Sequence, residues 1–306
     1  MRTTALKIGI WLSILALVMV GFWGCTLSQG EGTLKLNLSD APIDASNVKG
    51  VYITINEIQY NLNGEWRTFE EFNGPKAYNL LELSGDNFTL LGDLTLPAGH
   101  YTQIRFMLDI PEYGTNPSNP GCYILYTDDT KDALFVPSGG ETGYKATGEF
   151  TVPVNGTVEV TADFDIRKSV VKAGASGIYI LKPVIRLIVN DEAGKITGTI
   201  TNNSNYSDII IFAYEDGTWS ATKDDDPADG ESRFPNAVTS GAMDTEEKYV
   251  LALLAAGTYD LVIAGYTDDT FGEVLGFKSD IVVESGATTR LDIDTSALEY
   301  GLQISE

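Results

Sequence analysis

Basic side chains are scarce in this 306-residue chain: 20 Lys and Arg stand against 43 Asp and Glu, a formal net charge of −23 at pH 7. A surface of that sign repels phosphate backbones, which excludes a nucleic-acid binder. Histidine is nearly absent, with His100 alone, so a zinc centre would need carboxylates and a cysteine, an uncommon donor set. Only Cys25 and Cys122 are available for thiol chemistry. The sequence contains no GxSxG elbow, no HExxH pair and no GxxxxGK[ST] loop, and therefore no signature of the enzymes built on them. Carboxylate pairs abound, yet nothing singles out two held across a cleft as a glycosidase requires. Methionine is also sparse, at 4, whereas 31 Gly, 15 Tyr and 12 Phe favour strands and tight turns. No long stretch keeps a 3.6-residue apolar period, which argues against a βαβ architecture.

The start of the chain supplies an address. Arg2 and Lys7 precede an uncharged apolar run, IGIWLSILALVMVGF from Ile8 to Phe22, short for a spanning helix and suited to the h-region of a secretory signal. It ends in Gly24-Cys25, followed by Thr26, Leu27 and Ser28. This ending resembles the lipobox of bacterial lipoproteins, where a small residue precedes a cysteine whose sulfur takes a diacylglyceryl group. The resemblance implies a signal peptide over residues 1–24 and a membrane partner reached through lipid on Cys25. An uncleaved N-terminal anchor helix is the alternative. Thr26 in place of Asp implies, by likeness to enterobacterial sorting, an outer-membrane destination. Cleavage would leave a still more acidic chain, so lipid rather than electrostatics would anchor it. With Cys25 acylated, Cys122 has no intrachain disulfide partner. In GCYILY it alternates with Ile124 and Tyr126, which favours a buried strand cysteine over a reactive thiol.

Beyond residue 31 the apolar period is two. Thr33–Asn37, Val51–Ile55, Ile104–Leu108, Val158–Ile166 and Ile178–Ile188 read as strands bounded by Gly, Pro, Asn or Asp. In the fourth, Val158, Val160, Ala162, Phe164 and Ile166 form a core face, leaving Glu159, Thr161, Asp163 and Asp165 for a wet one, as in a one-sided antiparallel sheet. A polar break at residues 190–194 precedes a restart: GKITGTI from Gly194 echoes GTLKLNL from Gly32. LPAGHY at 96–101 likewise matches LAAGTY at 254–259; each Tyr can bury its ring and return its hydroxyl to nearby backbone, as in a tyrosine corner. The expected fold is therefore all-β, with two antiparallel Greek-key-type β-sandwich modules in tandem over 32–190 and 194–296. A linker at 25–31 and a tail at 297–306 flank them. Residues 244–254 open on DTEE, a helix capping box, yet Tyr249–Leu254 also fits a strand, which the sandwich needs there.

GTLKLNLSDAP near the start, LPAGHYTQIRF in the middle, and DFDIRKSVV followed by YILKPVIRL resemble the bacterial lipoprotein domain catalogued as domain of unknown function 4382, over residues 32–189. The segment from Gly194 to Ile293 is similar to the transthyretin-like or carboxypeptidase-regulatory-like sandwiches of surface proteins, although Leu254-Ala-Ala lacks their proline. The first resemblance implies no known activity; the second implies binding, spacing or display. Neither supplies catalytic residues.

Candidate site residues are few. Asp224, Asp225, Asp226, Asp229 and Glu231 crowd a Gly-containing loop whose oxygens suit calcium, with a solvated acidic loop as the plainer reading. Asp128, Asp129 and Asp132 read as a hairpin turn, Asp40 in Ser39-Asp-Ala-Pro42 as another, and His100 as a turn residue. Trp66, beside an Asn63-Gly64 turn, and Trp219, after an Asp216-Gly217 hairpin turn, are candidate ligand-facing aromatics, with cross-strand packing the alternative. No motif requires a cofactor. The function expected is a lipid-anchored, non-enzymatic envelope protein that binds or displays a glycan or protein. A structural or assembly subunit comes next, and a carboxylate-based hydrolase last.

Overall fold

The computed structural model describes residues 30–298 apart from 42–47, 113–114, 116, 137–141, 174–176, 221–232 and 269. Cys25 and the loop carrying Asp224, Asp226, Asp229 and Glu231 lie outside the described residues. The structure is all-β. Before Asn190 the chain forms β1 (Glu31–Asp40), β2 (Val48–Leu62), β3 (Glu65–Thr68), β4 (Lys76–Asn79), β5 (Thr89–Pro97), β6 (Gly99–Leu108), β7 (Tyr123–Tyr126), β8 (Lys131–Phe135), β9 (Tyr144–Val152), β10 (Thr157–Phe164), β11 (Val170–Ala173), β12 (Ile178–Leu181) and β13 (Ile185–Val189). One helical turn, α1 (Ile166–Ser169), separates β10 from β11. The strands join in the order β11-β12-β8-β7-β2-β6-β9-β13-β10-β1-β5, with β3 and β4 also paired to β2. Leu91 and Leu94 near one end of this order share a buried cluster with Leu134 and Leu181 near the other, so the array curls round one core.

The expected purely antiparallel pairing is corrected to a mixed one. β1 runs parallel to β10 over eight residue pairs, from Thr33 with Thr157 to Asp40 with Phe164. A parallel neighbour needs a crossover rather than a hairpin. Here β2–β9 make it without a long helix, which is why no helical period marks it. The single strand expected over Ile178–Ile188 is also corrected: it breaks into β12 and β13 at Lys182-Pro183, where proline offers no N–H and restricts the residue before it. The polar break becomes a 3₁₀ turn at Asn190–Glu192.

After that turn come β14 (Gly194–Thr201), β15 (Asp208–Glu215), β16 (Thr239–Ala242), β17 (Lys248–Leu254), β18 (Gly257–Thr267), β19 (Thr270–Val283), β20 (Thr288–Arg290) and β21 (Ile293–Asp294). One sheet holds β17-β14-β20 with β21 beside β14; the other is β16-β15-β18-β19. Ile196, Ile200 and Leu251 from the first meet Ile209, Ile211, Leu261 and Ile263 from the second. The second sheet is buried on its other face too, where Ile210, Phe212, Tyr214, Val262 and Tyr266 pack with Trp219, Phe234 and Ala237. Buried apolar side chains thus fall into one cluster before the 190–192 turn and two after it.

Local readings resolve individually. Residues 244–247 form a turn in which the Asp244 carboxylate accepts the Glu246 and Lys248 N–H groups, and β17 follows as a strand. Asn63 and Gly64, at φ 54° and 89°, give the left-handed pair that a two-residue β2–β3 hairpin needs. Asp128–Thr130 closes the β7–β8 hairpin. Asp216-Gly217 is a turn but not a hairpin: β15 pairs with β16 and β18, and the chain leaves the sheet after Glu215. Cys122 is fully buried, which pushes its thiol up to about 12 and keeps it out of thiolate chemistry.

The repeated turn motif does the same work twice. Tyr101 donates its hydroxyl hydrogen to Pro97 O at 2.7 Å, and Tyr259 donates to Ala255 O at 2.9 Å. Both rings are buried. Tyr101→Phe and Tyr259→Phe keep the ring and remove one bond each. Each should lower unfolding free energy by about 0.5–1.5 kcal/mol in urea titrations. Unchanged midpoints would reduce the hydroxyls to bystanders.

Candidate functional site

Two places gather polar side chains beyond what strand pairing explains. The first is built on the DFDIRKS segment. Asp163 and Asp165, expected on a wet face, are 3% and 2% exposed, and Thr161 is fully buried. The correction has a local cause. Asp163 lies opposite Arg186 in the β10–β13 ladder and accepts its Nε at 3.1 Å and its terminal nitrogen, while Thr161 donates to Asn190 Oδ1 at 2.8 Å. Asp165 then takes Arg167 side-on, Nε to Oδ1 at 3.1 Å and Nη2 to Oδ2 at 2.9 Å, a bidentate geometry that favours arginine. Lys168 sits 3.4 Å from the same carboxylate.

Asp40 closes this node from β1. Its Oδ1 accepts the Ile166 N–H at 3.0 Å, satisfying the first donor of α1, and its side chain is buried. Burial, reinforced by Asp163 and Asp165, pushes the Asp40 carboxyl well above the usual range, although the Ile166 N–H pulls the other way. Burial also pushes on Asp165, but Arg167 and Lys168 together outweigh it and hold that carboxyl low. Arg167 and Lys168 further donate to Ala237 O, at 3.3 and 2.7 Å, and the Arg167 guanidinium lies 5.9 Å from the Phe212 ring. The node thereby pins the outer face of the β15 sheet to the first array. A cleft of about 430 Å³ beside it is lined by Lys168, Arg186, Glu215, Thr218, Asn236 and Val238. Both cations there already hold carboxylates, so the cleft is a joint rather than a receptor.

The second place is the outer face of β3-β2-β6-β9. Register fixes its members: Asn61 lies opposite Trp66, Gln59 opposite both Thr68 and Arg105, and Arg105 opposite Lys145. The Arg105 guanidinium lies 4.2 Å from the Trp66 ring centre and Lys145 Nζ lies 5.7 Å from it. Arg105 Nε donates to Gln59 Oε1 at 2.5 Å and Nη1 to Thr142 O at 3.1 Å. Glu57 accepts from Thr68 Oγ1 at 2.5 Å and from the Gln59 amide, and those bonds hold its carboxyl low. Trp66 is part-exposed, so a solvent-facing indole stands fixed within a hydrogen-bonded polar frame.

Trp66 is thus part-exposed among polar groups and Trp219 is not: Trp219 is 7% exposed and packs on Phe277 at 5.7 Å. It follows a turn, as expected, but the turn folds back over the apolar outer face of β15 and β18. His100 is exposed with Nε2 at 3.6 Å from Glu149. Among the described residues no three His, Cys, Asp or Glu side chains are placed to hold a metal, and no helix is long and apolar enough to cross a membrane. Arg105, Lys145 and Gln59 were not singled out by the sequence. The available signal was Glu57, Gln59 and Asn61 at alternate positions of β2, which marks a polar face without naming its neighbours.

Asp40 supplies a pH test. A carboxyl held above its unfolded value binds more protons when folded, so its contribution to stability is full below the unfolded pKa and is lost as pH rises through the folded one. Asp40→Asn keeps the acceptor for Ile166 and removes the charge. It should raise the denaturation midpoint at pH 7 and change little below about pH 3.5, beneath the usual Asp pKa. A midpoint shift of the same size at both values would uncouple Asp40 from the pH dependence.

Likeness to solved structures is broad and shallow. The TIE protein of Bacillus anthracis aligns at 10% identity over 87% of this chain and 34% of its own, with a TM-score of 0.22. A leucine-rich repeat protein from Bacteroides thetaiotaomicron aligns at 13% over 87% and 26%, with a TM-score of 0.19. This chain therefore spans about a third and a quarter of those two. The shaft pilin spaA of Lactobacillus rhamnosus GG aligns at 12% over 87% of this chain and 99% of its own, with a TM-score of 0.23. No curated protein matches the sequence. A family model does match, over residues 31–183, half of the chain; that span holds the Trp66 face and the Asp40, Asp163, Asp165, Arg167 and Lys168 part of the first place, while Arg186 and Ala237 lie beyond it. The protein belongs to the family described as Domain of unknown function (DUF4382).

Proposed function

We propose that the protein is a non-enzymatic binding module of the bacterial cell envelope, held by lipid on Cys25, probed by its ligand on the outer face of β3-β2-β6-β9. The observation that carries this reading is the Trp66 indole, part-exposed and stacked on Arg105 within a frame of amide, hydroxyl and carboxylate groups. A few fixed polar groups round an aromatic surface orient a ligand at low entropic cost. A glycan or a protein segment suits such a face. The leader ending in Gly24-Cys25 supports lipid anchoring, and Thr26 supports an outer-membrane destination. The separate apolar clusters on either side of residues 190–192 support two β modules, the second serving as spacer or display partner.

An assembly role is the second reading. It rests on Phe88, just before edge strand β5, and Leu90 at its start, 52% and 48% exposed, since apolar edges attract further strands. A palmitate analogue fed to expressing cells should label the wild type and not Cys25→Ser; equal labelling would sink the lipoprotein reading. On a glycan array, the full chain in detergent should give signals that Trp66→Ala loses and Trp219→Phe keeps. Signals untouched by Trp66→Ala would move the site off this face.

A further inference from the structure

Arg105 and Lys145 lie directly opposite one another on neighbouring strands β6 and β9. Opposed residues on one face of an antiparallel pair stand about 4.5–5.5 Å apart at Cβ, and like charges there destabilise the sheet. Among the described residues neither cation has a carboxylate within ion-pair distance, although Arg105 feels the charge of nearby Glu57. Arg105 gives its Nε and Nη1 hydrogens to the neutral oxygens of Gln59 and Thr142, and among the described residues Lys145 meets the Trp66 ring. Among the described residues, the carboxylate of this face, Glu57, is taken up by Thr68 and Gln59. A chain with 43 acidic side chains has every opportunity to place one between two adjacent cations. Here it places an indole instead.

We propose that this face takes an acidic saccharide, a sugar ring bearing a carboxylate, with Trp66 supporting the ring and Arg105 and Lys145 holding the carboxylate. The proposal rests on the reading of the Trp66 face as a binding surface and adds the ligand's class. Among the described residues Arg105 Nη2 makes no hydrogen bond, and Lys145, opposite Arg105 in the ladder, carries three donors against the same indole. Gln103, next along β6, adds an amide for ring hydroxyls. A saccharide is favoured over an acidic peptide because the face is framed by amide and hydroxyl groups around one aromatic surface. The remaining acidity of the chain does not forbid this. At physiological salt the Debye length is about 8 Å, so distant carboxylates are screened while the two cations act at contact.

The test is isothermal titration of the full chain in detergent micelles with short oligouronates of galacturonate, glucuronate and mannuronate. Their methyl esters and poly-glutamate serve as comparisons. The acid form of at least one oligouronate should bind, and its ester should bind about tenfold or more weakly, about 1.4 kcal/mol. Arg105→Gln and Lys145→Gln should each erase most of the acid-over-ester preference, Trp66→Ala should abolish binding of both, and Lys145→Gln should raise the melting temperature slightly by removing the repulsion. Equal binding of acid and ester, lost in Trp66→Ala, overturns the proposal and leaves the binding face standing. Poly-glutamate binding without saccharide binding also overturns it and points to a peptide partner. Binding of none of these overturns this proposal, and the reading it rests on falls with it only if the glycan array shows no signal that Trp66→Ala removes.

Discussion

The Asp165 carboxylate and the Arg167 guanidinium meet with side chains 3% and 4% exposed, out of reach of water. Desolvating two such ions costs several kcal/mol apiece, returned only by close geometry and by further bonds to the remaining donors and acceptors. Those further bonds define the molecule's middle. Lys168 adds a second cation to Asp165, Asp40 holds the turn that presents all three, and Ala237 O accepts from both Arg167 and Lys168. Segments far apart in sequence thus converge on one short stretch of chain. An apolar node of similar volume would cost less to bury, but it would fix neither direction nor register. The charged one does both.

That constraint explains why β15 is apolar on both faces. Its Ile209, Ile211 and Ala213 point into the sandwich, whereas Ile210, Phe212 and Tyr214 point outward yet stay buried. An outward apolar row is stable only when something covers it. Phe234 stacks on Phe212 at 4.1 Å and Trp219 reaches Phe277, while Arg167 approaches Phe212 from α1. The segment that bears Ala237 is therefore held by two kinds of contact at once, aromatic packing beneath and charged hydrogen bonds at its edge. Either alone leaves the cover free to slide.

The strands and both tyrosine corners were legible because each depends on neighbours close in sequence: alternate apolar residues, a Gly for the turn, a Tyr two places on. The DFDIRKS segment was misread for the opposite reason. Alternation says that Asp163 and Asp165 share a face; it does not say what lies over that face, and here Arg186 arrives 23 residues after Asp163 and Ala237 lies 70 residues after the Arg167 it meets. Trp219 failed in the same way, since a turn residue is exposed only if the turn points outward. Trp66 was legible as a position and not as a site. Its surroundings come from the β2–β6 and β6–β9 registers, which bring Arg105 and Lys145 across two strand gaps that no local pattern encodes.

The use of the few cations separates the two polar places physically. At the joint, Arg167, Lys168 and Arg186 are matched by Asp163 and Asp165, and burial makes each pairing tight: leaving one carboxylate alone there would cost about 3–5 kcal/mol. On the outer face, Arg105 and Lys145 rest against an indole, a contact worth about 0.5–1 kcal/mol when exposed. A cation–indole contact therefore does little for the fold compared with a buried carboxylate pair. It leaves the charge unquenched and the ring immobilised, two properties that stability alone does not call for and that an approaching anion can use.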